Sequence, residues 1–248
     1  MLDPVAFNIF GISIRWYGIL ISLGMILATV ITMKRSKNYG IHPDRILDLI
    51  LIVIPSGVIG ARLYYVLFNW DYYKGDFFKI INIRAGGLAI HGGLIAGILM
   101  AILLCIIWNI RILSIMDLGM PGVALAQAIG RWGNFLNKEA YGSPTDLPWA
   151  IVVEGQSVHP TFLYESLWNF GLFLFLILFE KRKKYDGQIF LLYGMLYSFA
   201  RFFIEGLRTD SLMFQQFRVA QIVSAVIFAI CFIILMVNRR KHQNNIFR

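Results

Sequence analysis

Residues 218–237 read RVAQIVSAVIFAICFIILMV, with a single charge at the first position, and Arg239, Arg240 and Lys241 follow just behind. About twenty mostly apolar residues suffice for one helical crossing of a bilayer, so this stretch decides the fold class: an all-α integral membrane protein. Six further runs of the same kind lie at approximately 12–33, 46–68, 87–108, 113–133, 161–179 and 188–206, giving seven expected transmembrane helices. Composition agrees. Of the 248 residues 58% are apolar and 15% charged, whereas soluble domains average about 45–50% and about 25%. One soluble core of this size could not hide that excess. The net charge of +9 would point to nucleic acid in a soluble chain; here it serves topology, and no nucleic-acid partner is expected. Cys105 and Cys231 both lie inside apolar runs, which supports neither a disulfide framework nor a Cys/His metal site. Soluble enzymes, zinc modules and secreted disulfide-stapled domains are thereby excluded.

No basic region precedes the first apolar run and no small-residue cleavage site follows it, so that run is expected to be a retained helix rather than a signal peptide. Orientation follows from the Lys and Arg distribution. One set of connections carries thirteen of them, in tight runs such as Lys34, Arg35 and Lys37 or Lys181 to Lys184, and ends with Arg239 to Lys241 and Arg248. The opposite set carries eight, Arg84 among them, spread over longer stretches. The first set is expected to be cytoplasmic, which places the N-terminus outside and the C-terminus inside. Two outside connections have a character of their own. Residues 69–86 hold Trp70, Tyr72, Tyr73, Phe77 and Phe78, a belt suited to headgroup depth. Residues 134–160, with Gly142, Pro144, Pro148 and Pro160, are expected to form a small extracytoplasmic cap within a single transmembrane domain covering residues 1–248. No strong internal repeat is visible.

Arg62, Glu165, Arg201 and Glu205 fall within or near the ends of the expected helices, where an ionised side chain costs about 2.5–3.5 kcal/mol at mid-membrane. They are therefore paired, wet or close to an interface. With the topology above, Tyr17, His91 and Glu165 open inward-running helices, and Arg62, Arg131, Arg201 and Glu205 close outward-running ones. All seven share one level, toward the outer leaflet. Independent salt bridges have no reason to share a depth, whereas a single polar cavity does. On the sixth helix Tyr193, Tyr197, Arg201, Glu205 and Arg208 recur every three or four residues and so occupy one face. That stripe reads either as an Arg201–Glu205 couple with a packed aromatic beside it, or as a guanidinium and a phenol offered to a bound anion.

Around residue 91 the chain reads Ile90-His91-Gly92-Gly93, with Gly97 one turn further on. Gly93 and Gly97 suit close helix approach, and His91 in an apolar surround is either a cross-helix hydrogen-bonding group or a general base. The densest motif is Gly130-Arg131-Trp132-Gly133-Asn134-Phe135-Leu136-Asn137-Lys138-Glu139-Ala140-Tyr141-Gly142. Asn134 and Asn137 are placed to satisfy carbonyls at the end of the fourth helix. Arg131 has the planar fork that matches phosphate oxygens bidentately.

These runs, together with Arg15-Trp16-Tyr17-Gly18, Gly60-Ala61-Arg62, His159-Pro160-Thr161-Phe162-Leu163-Tyr164-Glu165 and the stretch from Tyr197 to Arg208, resemble the prolipoprotein diacylglyceryl transferase family over nearly the whole chain. One departure is Phe162, where many members carry Gln. The resemblance implies a multi-pass enzyme of the bacterial cytoplasmic membrane. Such an enzyme moves the diacylglyceryl group of phosphatidylglycerol onto the thiol of a prolipoprotein lipobox cysteine, releasing glycerol phosphate, with no metal or organic cofactor. It further implies that His91, Arg131, Arg201 and Tyr197 are catalytic and that Arg131 and Arg201 hold the phosphate. Tyr17, Asn134, Glu139, Gly142, Arg62, Glu165, Glu205 and Arg208 are then expected to bind substrate.

The chemistry needs an activated sulfur, since free Cys is mostly thiol at neutral pH, and stabilisation of the departing phosphate. Either His91 takes the thiol proton, its own protonation disfavoured by burial beside arginines, or the arginines alone depress the thiol pKa and His91 positions it. The main rival is a small anion transporter, since intramembrane Arg, His and Glu also mark ion pathways; the almost uniformly apolar cytoplasmic halves of the helices argue against it. The chain has no His-Glu-x-x-His and no Gly-x-Ser-x-Gly motif.

Overall fold

The computed structural model describes residues 4–9, 11–83 and 86–246; Arg84 and Arg248, two of the charges counted toward topology, lie outside them. Seven helices are long and apolar enough to cross a membrane. They are α1 (Trp16–Ser36), α2 (Pro43–Phe68), α5 (Ile90–Ile107), α6 (Ile112–Leu136), α7 (Thr161–Phe179), α8 (Gln188–Leu207) and α9 (Val219–Ile246); the short α3 (Trp70–Tyr73) and α4 (Phe77–Ile81) follow α2. Two 3-10 turns (Lys37–Tyr39 and Glu180–Arg182) and three two-stranded hairpins complete the described elements: β1 (Val5–Ile9) with β2 (Ile12–Arg15), β3 (Ile151–Val153) with β4 (Gln156–Val158), and β5 (Met213–Phe214) with β6 (Phe217–Arg218).

The helix ends correct several sequence-based boundaries. The run at 12–33 does not begin as helix: Ile12 to Arg15 pair antiparallel with Val5 to Ile9, and α1 starts only at Trp16. The run at 87–108 loses its first three residues, because Gly86 and Gly87 adopt positive φ, a conformation glycine takes without strain. The expected start at 46 moves back to Pro43, where His42 caps the helix by accepting from the Asp44 amide and Pro43 occupies a first-turn position that needs no N–H. Residues 134–136, expected in the cap, continue α6.

The chain divides into two compact units, one of Met1–Thr32 with Met116–Arg248 and the other of Met33–Ile115. In the smaller unit α2 packs along α5 through glycine. A Cβ on Gly60 would overlap Ala96, one on Gly92 would overlap Tyr64, and Gly93 sits against Gly57 O. Small residues permit such contact where lipid removes any hydrophobic drive between helices. The expected Gly93/Gly97 face is thus corrected to Gly92/Gly93, since at Gly97 a Cβ would find only ordinary contact with Val53. The rest of α5 presents Leu94, Ile98, Leu99 and Ile106 outward, as hydrocarbon-facing residues do.

The larger unit has a core of Ala124, Leu172, Leu176 and Ile189, from α6, α7 and α8. The buried face of α7 runs Thr161, Phe162, Glu165, Ser166, Asn169, Leu172, Leu176. It is polar at its start and apolar below Asn169, so the same helix supplies a site at one end and a core at the other. Below that core Asp117 of α6, fully buried, accepts from the Gly187 and Phe190 amides at 2.7 and 2.9 Å and meets Lys183 Nζ at 2.9 Å. A carboxylate from one helix thereby caps the N-terminus of another, where orphan amides favour negative charge.

Candidate active site

Arg131 lies near the end of α6, Glu165 in the first turns of α7, Arg201 and Glu205 in the last turns of α8, and Arg208 at that helix's C-cap. Glu165 is the hub. Arg201 Nη1 donates to its Oε1 at 2.6 Å, Arg131 Nη2 reaches its Oε2 at 2.6 Å, and Arg208 Nη1 stands 3.7 Å from Oε1. Arg201 Nη2 meets Glu205 Oε2 at 2.6 Å, one turn away on α8. Both Oε2 contacts lie off the hydrogen-bond direction, so they are ionic contacts rather than aligned bonds. The cross-helix pairing and the Arg201–Glu205 couple allowed by the sequence are both present, in one network.

The electrostatics of this network decide what it can do. The Glu165 and Glu205 side chains are 4% exposed, whereas those of Arg131, Arg201 and Arg208 are 22%, 19% and 13% exposed. Three guanidiniums meet two buried carboxylates, and the guanidiniums are the accessible partners. Buried charges cost several kcal/mol each unless paired; here the carboxylates are covered while cationic surface remains available to an anion. A third carboxylate, that of Asp210, takes two hydrogen bonds from Arg208, at 2.9 and 2.7 Å, so that the cationic surface left available is chiefly that of Arg131 and Arg201. Those bonds hold its carboxyl below the ordinary value, with burial opposing them. Burial likewise works against the Arg208 charge, yet the bonds to Asp210 and the nearby glutamates leave that guanidinium more basic than usual.

Around this centre the other expected residues take distinct places. The Tyr17 ring lies over Gly133, where any Cβ would overlap it, and so joins the start of α1 to the end of α6. Tyr197 stacks on Tyr193, with centroids 5.6 Å apart and planes at 14°, and Tyr193 donates to Gln127 on α6 at 2.8 Å. Asn134 and Asn137 both donate to Glu139 Oε1, at 3.0 and 3.3 Å. The helix-end carbonyls are met instead by the amides of Asn137, Lys138 and Glu139, which corrects the expected capping role of the two Asn. Gly142 is buried where two segments converge: its amide donates to His159 O at 2.9 Å, and a Cβ would stand 2.6 Å from His159 Cβ. The next amide, Ser143, donates to Leu207 O at 2.7 Å, so the end of the glycine-bounded motif is fastened to the end of α8.

Beside Asn134, Lys138 and Glu139 opens a pocket of about 180 Å³ whose walls include Phe135, Tyr141, Ile151, Val153 and Phe162. Phe162 stacks on Phe135 at 4.7 Å and meets Trp132 edge-on at 5.4 Å. An aromatic at position 162 therefore makes this pocket apolar.

Arg62 and His91 belong to the smaller unit. Arg62, 6% exposed, donates to four carbonyls, those of Lys79, Ile80, Gly86 and Gly87, at 2.6–2.9 Å, and its guanidinium lies 4.9 Å from the Tyr73 ring centroid. It pins the aromatic connection 69–87 to α2. His91, expected to be buried, is exposed in the first turn of α5, 6.4 Å from the Tyr64 ring centroid, because Gly92 rather than His91 turns toward α2.

Asp210 escaped the sequence reading, and so did three polar residues within the helices. Asp117 breaks the apolar character assigned to the cytoplasmic halves, Gln127 lies one turn before Arg131, and Asn169 lies one turn after Glu165. The last two stand four residues from a recognised site residue on the same helix, and that spacing was the available signal. Among the described residues no group of His, Cys, Asp and Glu could hold a metal ion.

Comparison with known proteins extends these observations. The sequence profile of the prolipoprotein diacylglyceryl transferase family matches residues 4–237. The chain is 54% identical over 245 residues to a phosphatidylglycerol–prolipoprotein diacylglyceryl transferase of Clostridioides difficile, covering 99% of both chains. It is 53% identical over 241 residues to the protein of that name from Finegoldia magna, covering 97% of both. With that of Staphylococcus haemolyticus the identity is 43% over 260 residues, covering 100% of this chain and 92% of the relative.

Proposed function

The chain belongs to the prolipoprotein diacylglyceryl transferase family, and on that premise we propose that the arginine network described above is where it transfers diacylglyceryl from phosphatidylglycerol to a prolipoprotein lipobox cysteine. The sulfur attacks the glyceryl carbon that carries the phosphate ester; the C–S bond forms, the C–O bond breaks, and the headgroup departs as glycerol phosphate. Arg131 and Arg201 hold the phosphate and take up its developing charge, as preorganised donors do in a site of restricted water. Arg208 adds to the same field, and Glu165 and Glu205 hold the guanidiniums in place. His91 accepts the thiol proton; its exposure leaves it able to reach a substrate and to pass the proton on. Tyr17 and Tyr197 flank the reacting groups, Asn134, Glu139 and Gly142 shape the wall beside them, and Arg62 serves through the connection it pins. No metal or organic cofactor takes part.

The chain acts as one transmembrane domain in the bacterial cytoplasmic membrane. Its N-terminus and the cap that follows α6 face outward, its C-terminus faces the cytoplasm, and the site opens toward the outer leaflet. The Lys and Arg distribution supports this orientation, and membrane-held substrates explain why a transferase would keep its site among helices.

The observation that carries the proposal is the convergence of Arg131, Arg201 and Arg208, all partly exposed, on the more deeply buried Glu165. It is tested by incubating the purified protein in detergent with phosphatidylglycerol and a synthetic lipobox peptide. The expected result is a diacylglyceryl mass gain on cysteine with matching glycerol phosphate, both lost in Arg131→Ala and His91→Gln. A folded, lipid-binding protein yielding neither product would refute the proposal.

A further inference from the structure

One turn below Glu165, Asn169 is 2% exposed, and its Oδ1 has no hydrogen-bond partner among the described residues. An amide oxygen left unpaired in such a place costs about 1–3 kcal/mol, and an apolar residue would avoid that cost at this point, where the buried face of α7 turns apolar at Leu172. Asn169 borders a small cavity between α7 and α8, shared with Glu165, Tyr197 and Arg201 and lined also by Trp168 and Ile204. Its volume of about 10 Å³ is close to the minimum that one water needs, and polar groups from both helices line it. A buried water requires two to four polar partners, and this cavity offers them.

We propose that Asn169 is a positioning residue for the transfer: it holds a single water in this cavity, and that water fixes the inner side of the Arg201 guanidinium. Arg201 already spends Nη1 on Glu165 and Nη2 on Glu205, contacts that restrain one side of its plane. The water restrains the side facing the α7–α8 interior, donating to Asn169 Oδ1 and accepting from Arg201 or Tyr197. The neutrality of Asn169 matters. Three carboxylates, Glu165, Glu205 and Asp210, already face the three guanidiniums, so a further one would leave net negative charge where the phosphate binds, whereas an amide oxygen orders the water and leaves the charge balance untouched.

The inference rests on the transferase reading, and two substitutions with opposite consequences test it. Asn169→Leu keeps the shape of the side chain but removes the acceptor and dries the cavity. Asn169→Ala removes the acceptor but leaves room for further waters to take over its part. Positioning through water predicts kcat lowered about tenfold in the Leu variant, with KM for the peptide unchanged and the melting temperature not reduced. The Ala variant is predicted to stay within about threefold of the unaltered protein, because water substitutes for a lost polar side chain. A packing role predicts the reverse order, with Leu harmless and Ala damaging. Full activity in the Leu variant, or impairment of Ala equal to or greater than that of Leu, overturns the proposal. A high-resolution structure in lipid gives a readout independent of activity: ordered water within hydrogen-bond distance of Asn169 Oδ1 is expected, and its absence there also overturns the proposal. If the unaltered protein transfers no lipid at all, the transferase reading fails, and the water at Asn169 is still decided by that structure.

Discussion

The larger unit ties α6 to α8 by buried charge in two places, and the two ties are built differently. At one end Asp117 is fully enclosed, and its oxygens are met by two amides and one ammonium. At the other end Glu165 joins Arg131 to Arg201 with Glu205 and Arg208 beside them, and the guanidiniums keep part of their surface open. A structural ion pair is closed, with each oxygen matched by a donor held in place. In the open cluster the guanidiniums rather than the glutamates keep the surface that a ligand can reach. The comparison gives a criterion for intramembrane charge clusters that depth alone does not: count which sign is buried and which is accessible.

The strongest way to break this comparison is at the open end. Arg131→Ala and Arg201→Ala are each expected to lower kcat/KM for transfer by about 10²–10³, as loss of a transition-state donor does, with the helical circular dichroism retained. Next comes Glu165→Gln, which leaves the arginines without their shared carboxylate. Removing one partner of a buried ionic network costs about 3–5 kcal/mol, so both stability against denaturant and activity are expected to fall. A variant that lost activity alone would show Glu165 to be a participant rather than a frame.

Asp117→Asn probes the closed end. The amide can still accept one backbone hydrogen bond but loses the pairing with Lys183, an expected loss of about 1–3 kcal/mol of stability, with kcat kept within about twofold at temperatures where the protein is folded. A fall in kcat as deep as that of Arg131→Ala would erase the distinction between the two ends. The smallest effect is expected at Asp210, whose side chain is 48% exposed and screened by solvent. Its pKa is lowered in the folded state by the hydrogen bonds from Arg208, with burial opposing them. The contribution of the pair is therefore present above the ordinary carboxylate value and disappears as pH falls through the lowered folded value. Asp210→Asn should flatten only the acid limb of a stability–pH profile and change activity at neutral pH by less than about threefold.

Much of this architecture could be read from the sequence, for physical reasons. Seven apolar runs need no partner to be recognised, since each meets the membrane's length and polarity requirement by itself. Arg62, Glu165, Arg201 and Glu205 stand out because charge is costly there and Arg131 because its fork suits a phosphate, and the structure joins Arg131, Glu165, Arg201 and Glu205. What escaped was what depends on a second helix. Arg62 looks like a site residue in sequence, yet the carbonyls it serves lie 17 to 25 residues further along the chain. Asn169 and Gln127 are uncharged and do not interrupt a hydropathy pattern, so apart from their spacing from Glu165 and Arg131 the sequence does not mark their places against α8. The strand at Ile12 to Arg15 was absorbed into the first apolar run because alternation over four residues is too short to compete with a longer apolar pattern.

The fastening at Gly142 and Ser143 has a consequence for how this protein would respond to mutagenesis. Both links, Gly142 N–H to His159 O and Ser143 N–H to Leu207 O, are made by main chain. A scan that truncates side chains one by one would pass over Ser143 and report it as silent, although its amide joins the cap to the arginine-bearing helix. Proline at 143 would delete that donor while adding little bulk. It is the substitution by which this seam would declare itself in a genetic screen.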